Sequence, residues 1–197
     1  MHPQTFIFFG KSGSGKGTQV QLLTEYLDRT RTNKTLVIET GESFRSFMGG
    51  ESYVAHRTRE VLAQGDLMPV FMPIWVWTDI LVKKYDGTQN LILDGLCRRP
   101  TEAPVLDSAL KFFNQKNPIV IYINVSNTWA FDRMKNRGRK DDTEEYIKSR
   151  LEWFDWNVIP AMSYFHEHQD YTFLEINGEQ SVEDVHKAIL SQITILQ

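Results

Sequence analysis

Cysteine is nearly missing from this 197-residue chain: Cys97 stands alone, so no intramolecular disulfide can form and no Cys-x-x-Cys pair exists to seat a structural zinc. A reducing, cytoplasmic setting is expected. Long apolar runs are missing too. The longest near the N-terminus, Phe6-Ile7-Phe8-Phe9, is far shorter than a signal-peptide core or the roughly 20 residues of a membrane span, and neither export nor insertion is expected. Nor is there an excess of one charge. With 22 Lys+Arg against 25 Asp+Glu and a formal net charge of -3, nothing points to nucleic acid or an anionic membrane as partner, and any basic site must be local. Repeats, low-complexity tracts and Pro/Gly/Ser linkers are absent, so a single domain spanning 1–197 is expected. What is present is ordinary globular composition, 41% apolar and 24% charged, on a chain long enough to bury a core without staples.

Short apolar runs at Phe6 to Phe9, Leu36 to Glu39, Leu91 to Leu93, Ile119 to Ile123 and Tyr171 to Ile176 alternate with longer amphipathic stretches. That order predicts a parallel α/β sheet, and the unbroken apolar character of the runs predicts helices on both of its faces. Asp142-Thr143-Glu144-Glu145 and Ser181-Val182-Glu183-Asp184 resemble capping boxes that open helices, the second helix running to about Ile195. Two inserts interrupt the core: one from about Thr40 to Val70, the other the short stretch Arg137 to Asp142.

The most informative segment follows the first strand: Gly10-Lys11-Ser12-Gly13-Ser14-Gly15-Lys16-Gly17-Thr18-Gln19, leading into the helical run Val20-Gln21-Leu22-Leu23. Glycines let the backbone take positive φ and approach a ligand, so that amide N–H groups ring a phosphate at a helix N-terminus. Lys16 adds a point charge. The strict pattern GxxxxGK[ST] is missed by one residue, since Gly17 follows Lys16 and the hydroxyl arrives at Thr18. A magnesium ion here must therefore rely more on water and another carboxylate. The bland alternative is a glycine-rich strand-to-helix turn with no ligand. Four glycines and a lysine in the required strand-to-helix order argue against it.

The run Gly-Ser-Gly-Lys-Gly-Thr-Gln resembles the adenylate kinase branch of the nucleoside monophosphate kinases, and further segments match that family in order along nearly the whole chain. Thr40-Gly41-Glu42-Ser43-Phe44-Arg45 resembles its Thr-Gly-Asp-x-x-Arg acceptor segment, and Gly65-Asp66-Leu67-Met68 its Gly-x-x-Val turn. Leu93-Asp94-Gly95-Leu96-Cys97-Arg98 resembles Leu-Asp-Gly-Phe-Pro-Arg, and Arg133, Arg137, Arg139 and Arg150 its arginine series around the lid. The resemblance implies a five-stranded sheet in the order 2-3-1-4-5 and transfer of the γ-phosphoryl group of ATP to a mononucleotide, most simply AMP. It implies ATP binding by Gly13, Ser14, Gly15, Lys16, Gly17, Thr18, Arg133 and Arg137, with Arg133 stacking on adenine. Thr40, Gly41, Arg45, Met68, Gly95, Arg98 and Glu102 would bind the acceptor. Lys16, Arg98, Arg139 and Arg150 would be catalytic, and Asp94 would orient Mg²⁺ through water, with no zinc. The enzyme would be a monomer with small-molecule partners only. Read without the resemblance, Arg133 and Arg137 could be a solvated helix face beside Asp132, and Asp94 could cap the next turn.

This sequence departs from the family pattern in three places. Cys97 stands where the family has a proline associated with a cis peptide; a cis bond before a non-proline costs roughly 2.5–4 kcal/mol, so a trans, rearranged turn is expected. The lid is minimal, too short for a subdomain. Glu102 replaces the glutamine that reads adenine. A carboxylate only accepts hydrogen bonds, which by itself points to GMP, whereas Thr40 matches the AMP kinases. A GMP or pyrimidine kinase, or a P-loop protein that binds nucleotide without catalysis, are the competing readings. His166 and His168 are expected at the surface. Trp153, Phe154, Trp156, Val158, Ile159 and Met162 are expected to pack along one helix face that Pro160 kinks or ends. Trp75 and Trp77 are expected to pack beneath the acceptor insert.

Overall fold

A computed structural model describes residues 3–63, 68–138 and 142–195. Five parallel strands form one sheet in the order β2-β3-β1-β4-β5, as expected. They are β1 (Thr5–Gly10), β2 (Thr35–Glu39), β3 (Asn90–Asp94), β4 (Ile119–Asn124) and β5 (Thr172–Asn177). The central strand pairs Thr5 with Leu91 of β3 on one side and Phe6 with Ile119 of β4 on the other. Its side chains alternate between two cores, which explains the unbroken apolar run. Phe6 and Phe8 pack with Leu23 and Leu27 of α1 (Lys16–Thr30) and Val185 and Ile189 of α9 (Val182–Ile195). Ile7 and Phe9 pack on the opposite face with Trp77 of α4 (Phe71–Lys84), Leu106 of α5 (Ala103–Phe112) and Phe165 of α8 (Ile159–Glu167). Fully burying each such side chain contributes about 1.5–3 kcal/mol, so the strand ends that carry the site stand on a stiff floor.

Between β2 and α4 lie α2 (Thr40–Met48) and α3 (Tyr53–Ala63). Trp77 is buried in the core against the sheet with Ile7 and Phe9, whereas Trp75, 45% exposed, is the one that meets the insert, edge-on to Phe47 of α2 at 5.3 Å. A 3₁₀ turn, Pro100–Glu102, precedes α5, and β4 leads into α6 (Asn127–Arg137) and α7 (Glu144–Trp153).

The cap of α7 is Thr143, whose hydroxyl accepts from the N–H of Tyr146, and not Asp142. Asp142 is engaged by both Nε and Nη2 of Arg137 at 3.0 and 2.9 Å; a paired, charge-assisted fork outweighs one backbone N–H. Ser181 does behave as expected, accepting from the N–H of Asp184 and donating to its carboxylate. Past α7 the chain runs through a π-helical segment, Phe154–Val158, directly into α8. Pro160 thus lies in the first turn of α8, where a missing N–H costs little. The packed face expected here is incomplete, since Trp156 is 81% exposed and Ile159 also faces solvent. The wide turn rotates them away from the core.

Candidate active site

The carboxyl ends of β1, β2 and β3 and the helices after β4 surround a cleft of about 990 Å³. Its floor is the loop after β1. Gly13 has φ of +87°, and a Cβ there would lie 2.6 Å from the Ala130 carbonyl of α6. Only glycine permits that conformation and that contact. The loop therefore rests against the helix that carries Arg133 and Arg137. No side chain caps α1, which begins at Lys16, so its first-turn N–H groups and positive dipole end are directed at an arriving anion.

Lys16 Nζ contacts Asp94 Oδ1 at the end of β3. Asp94 therefore faces the cleft and does not cap the following turn. Burial above all, then repulsion from Arg98, pulls the Lys16 ammonium down to about 7, opposed by Glu39. A desolvated cation next to another cation is stabilised by any phosphate that enters.

The turn after β3 differs from the loop. No peptide bond among the described residues is cis; instead Gly95 and Cys97 take positive φ, +73° and +54°. A side-chain-bearing residue in this region costs roughly 1–2 kcal/mol, and several bonds offset it. The Gly95 carbonyl accepts from Thr40 Oγ1 and from Arg98 Nε, both at 2.9 Å, and Cys97 Sγ donates to the Glu102 carbonyl at 3.5 Å. The Glu102 carboxylate, at the buried wall, accepts the backbone N–H of Arg98; burial raises its pKa, opposed by that bond and by Arg99 and Arg98. Arg99 itself donates to the Met68 carbonyl at 2.7 Å, linking the turn to the segment before α4. The surrounding protein and the guanidinium of Arg150 push the pKa of Arg98 down, with Glu102 and Glu39 opposing. An arginine stays charged regardless, so the shift reports a site that favours an anion.

Along α6 and α7, Arg133 lies 5.7 Å over Trp129, Arg137 holds Asp142, and Arg150 lies 5.4 Å over Tyr146 and 3.8 Å from Asp142. Arg137 is thus paired, but with Asp142 and not with Asp132. The cleft brings together Lys16, Arg98, Arg133, Arg137 and Arg150 with Thr18, Thr40, Gly41, Met68 and Glu102. Arg139 and the side chain of Arg45 lie outside the described residues. The sequence reading missed Lys11, Glu39, Tyr146 and Trp153, which also line the cleft; only Lys11, a second lysine inside a glycine-rich loop, carried a visible signal. Among the described residues there is no group of three or more His, Cys, Asp or Glu that could hold a metal ion. The carboxylates of Asp94 and Glu39 beside the phosphate loop fit a magnesium ion that arrives with ATP and keeps most of its water.

A doubly covered parallel sheet with a phosphate loop on its central strand, and arginines converging across one cleft, defines a phosphotransferase of the P-loop class. A family model described as Adenylate kinase matches residues 8–170. Adenylate kinase 1 of Nostoc sp. (strain PCC 7120 / SAG 25.82 / UTEX 2576) is 32% identical over 179 residues, 91% of this chain and 92% of its own. The adenylate kinase of Azobacteroides pseudotrichonymphae is 32% identical over 189 residues, 94% of each. That of Corynebacterium urealyticum is 30% identical over 184 residues, 93% and 96%. The chain belongs to the adenylate kinase family.

Proposed function

We propose that this protein transfers the γ-phosphoryl group of ATP to AMP, giving two ADP. The observation that carries the reading is the Lys16–Asp94 contact at the root of a cleft that Arg98 and Arg150 also line. A donor triphosphate on the loop and an acceptor phosphate on Arg98 would meet between them. In-line attack by an acceptor phosphate oxygen forms the new P–O bond as the bond from the γ-phosphorus to the bridging oxygen breaks, and ADP leaves.

The residues then act by charge and position. Residues 13–18 ring the donor phosphates, and Lys16 exchanges Asp94 for the β/γ oxygens. Arg133 stacks on the donor base and Arg137 holds phosphate. Arg98 holds the acceptor phosphate, with Arg45 expected to join it; Thr40, Gly41, Met68, Gly95 and Glu102 bound the acceptor nucleoside. Arg150, with Arg139, closes on the transferring group. Asp94 would hold a magnesium ion through water, and that ion when bound supplies neutralisation of phosphate charge. In domain terms, residues 1–197 form one catalytic unit in which 40–70 bind the acceptor and 137–142 close over the donor. We also propose a monomer acting on small molecules in the cytoplasm; among the described residues no helix is long and apolar enough to cross a membrane.

Glu102 bears on the acceptor. Its carboxylate already interacts with the backbone N–H of Arg98 and the charges of Arg99 and Arg98, which leaves less of its acceptor capacity to select guanine. Coupled assay of ADP formation with AMP, GMP, CMP and UMP tests the reading: AMP is expected to be the best acceptor, strong preference for GMP would overturn the acceptor, and ATP loss independent of any acceptor would overturn the transfer.

A further inference from the structure

We propose that Lys11 is a positioning residue that ties the phosphate loop to the π-helical segment behind the arginine arm, and so sets the geometry in which ATP is held. The inference rests on the phosphotransfer reading above but concerns a part of the loop that reading does not use.

Lysine is almost never buried without a partner, yet the Lys11 side chain is only 10% exposed. Three groups from two other parts of the chain receive its ammonium. The Val125 carbonyl accepts at 3.4 Å, Asp155 Oδ1 lies at 3.5 Å, and the Phe154 ring centroid lies at 5.9 Å. The other oxygen of Asp155 accepts from Asn127 at 3.4 Å. One cation therefore joins the phosphate loop, the β4–α6 connection and the π-helical segment. Such widened turns recur at functional sites because they redirect side chains that an α-helix would point elsewhere. Here the turn presents Asp155 to Lys11 while Trp153, two residues earlier, lines the cleft.

The same helical path carries Arg150 just before Asp155. Fixing Asp155 to the loop thus fixes the spacing between the donor phosphates and the arginine that must reach them. The two ends of the pair are unequal: Asp155 is 37% exposed and can turn to water, whereas Lys11 without it keeps a buried ammonium on the Val125 carbonyl and the Phe154 ring alone. With either partner removed the loop is free to drift from its productive position, where small displacements cost large factors in rate.

The test is a mutant cycle of Lys11→Met, Asp155→Asn and both together, with Lys11→Arg as the conservative variant, read by kcat and KM for each substrate and by ATP titration without acceptor. Each single change is expected to weaken ATP binding about tenfold and to leave the AMP KM within about threefold. The double variant should be no worse than the poorer single one, and Lys11→Arg should recover most of the affinity. Multiplying effects in the double variant would overturn the tether. So would normal ATP binding in Asp155→Asn, which would place the lysine on the phosphates themselves. If Lys11→Met does not fold, Asp155→Asn decides alone, since it must weaken ATP binding. An unsubstituted protein that binds ATP but forms no ADP from AMP would sink the functional reading and leave the binding cycle intact.

Discussion

The loop after β1 and the turn after β3 follow neighbouring strands and meet at the Lys16–Asp94 contact, yet they are held in shape by different means. The loop takes its path from its backbone, with positive φ at Gly13 and Gly15, close contact with α6 and the open end of α1, and Lys11 is the one side chain proposed to anchor it. The turn relies on side chains, with Thr40, Cys97 and Glu102 each supplying a bond. A backbone-held loop tolerates little change in its own sequence. A side-chain-held turn can be rebuilt with different residues, which is how Cys97 and Glu102 serve where the family has proline and glutamine.

Four changes probe that contrast, beginning on the loop. Lys16→Ala should lower kcat/KM by about 10²–10³, the usual scale for one lost electrostatic contact to a transition state, with an unchanged circular-dichroism spectrum. Retained turnover would remove Lys16 from the chemistry. Arg98→Ala should raise the AMP KM about 10- to 100-fold, as loss of one charge-assisted contact does, while the ATP KM moves far less; equal changes in both would mean that the two sides of the cleft are not separable. Gly13→Ala should lower stability by roughly 1–2 kcal/mol from backbone strain alone, with the Ala130 contact adding to it, and thermal unfolding should register a fall of about 2–4 °C per kcal/mol.

The smallest effect is expected at Glu102→Gln. An amide oxygen can still accept the Arg98 N–H, so AMP efficiency should change less than about threefold, near 0.6 kcal/mol. A gain of tenfold or more would show the side chain reading the base. The pH dependence sharpens this. Burial raises the Glu102 pKa above its ordinary 4.5, so just above that pH the folded state binds more protons than the unfolded, and this group's contribution to stability falls as pH rises. The glutamine variant lacks that loss. Its melting temperature should match the natural protein's near pH 4, pull ahead as pH rises above 4.5, and then hold a constant lead once the folded carboxyl is ionised. A difference that is the same near pH 4 as at neutrality would mean the carboxylate is not the cause.

Much of the fold was legible because each strand is a short apolar run that two cores must cover, and Phe6 to Phe9 display that need openly. The phosphate loop was legible for a related reason, since glycine spacing is itself the geometry. Side-chain partnerships were not. Whether Asp142 caps α7 or grips Arg137 depends on where α6 ends, and the exposure of Trp156 depends on a widened turn that no periodicity announces. Lys11 is visible in the sequence as a second lysine in the loop, but its partner Asp155 comes from far along the chain and only the fold brings them together.

The central place of β1 has a consequence for how the protein is made. Its hydrogen-bonding partners are β3, beginning at Asn90, and β4, ending at Asn124. A ribosome adding roughly 5–20 residues per second therefore leaves Phe6 to Phe9 without its sheet neighbours for on the order of ten seconds. An uncharged, aromatic, strand-forming tetrad of this kind is the sort of segment that adheres to other nascent chains. The interval before β4 emerges is thus the period when the chain most needs shelter, and products truncated before Asn124 should collect in the insoluble fraction.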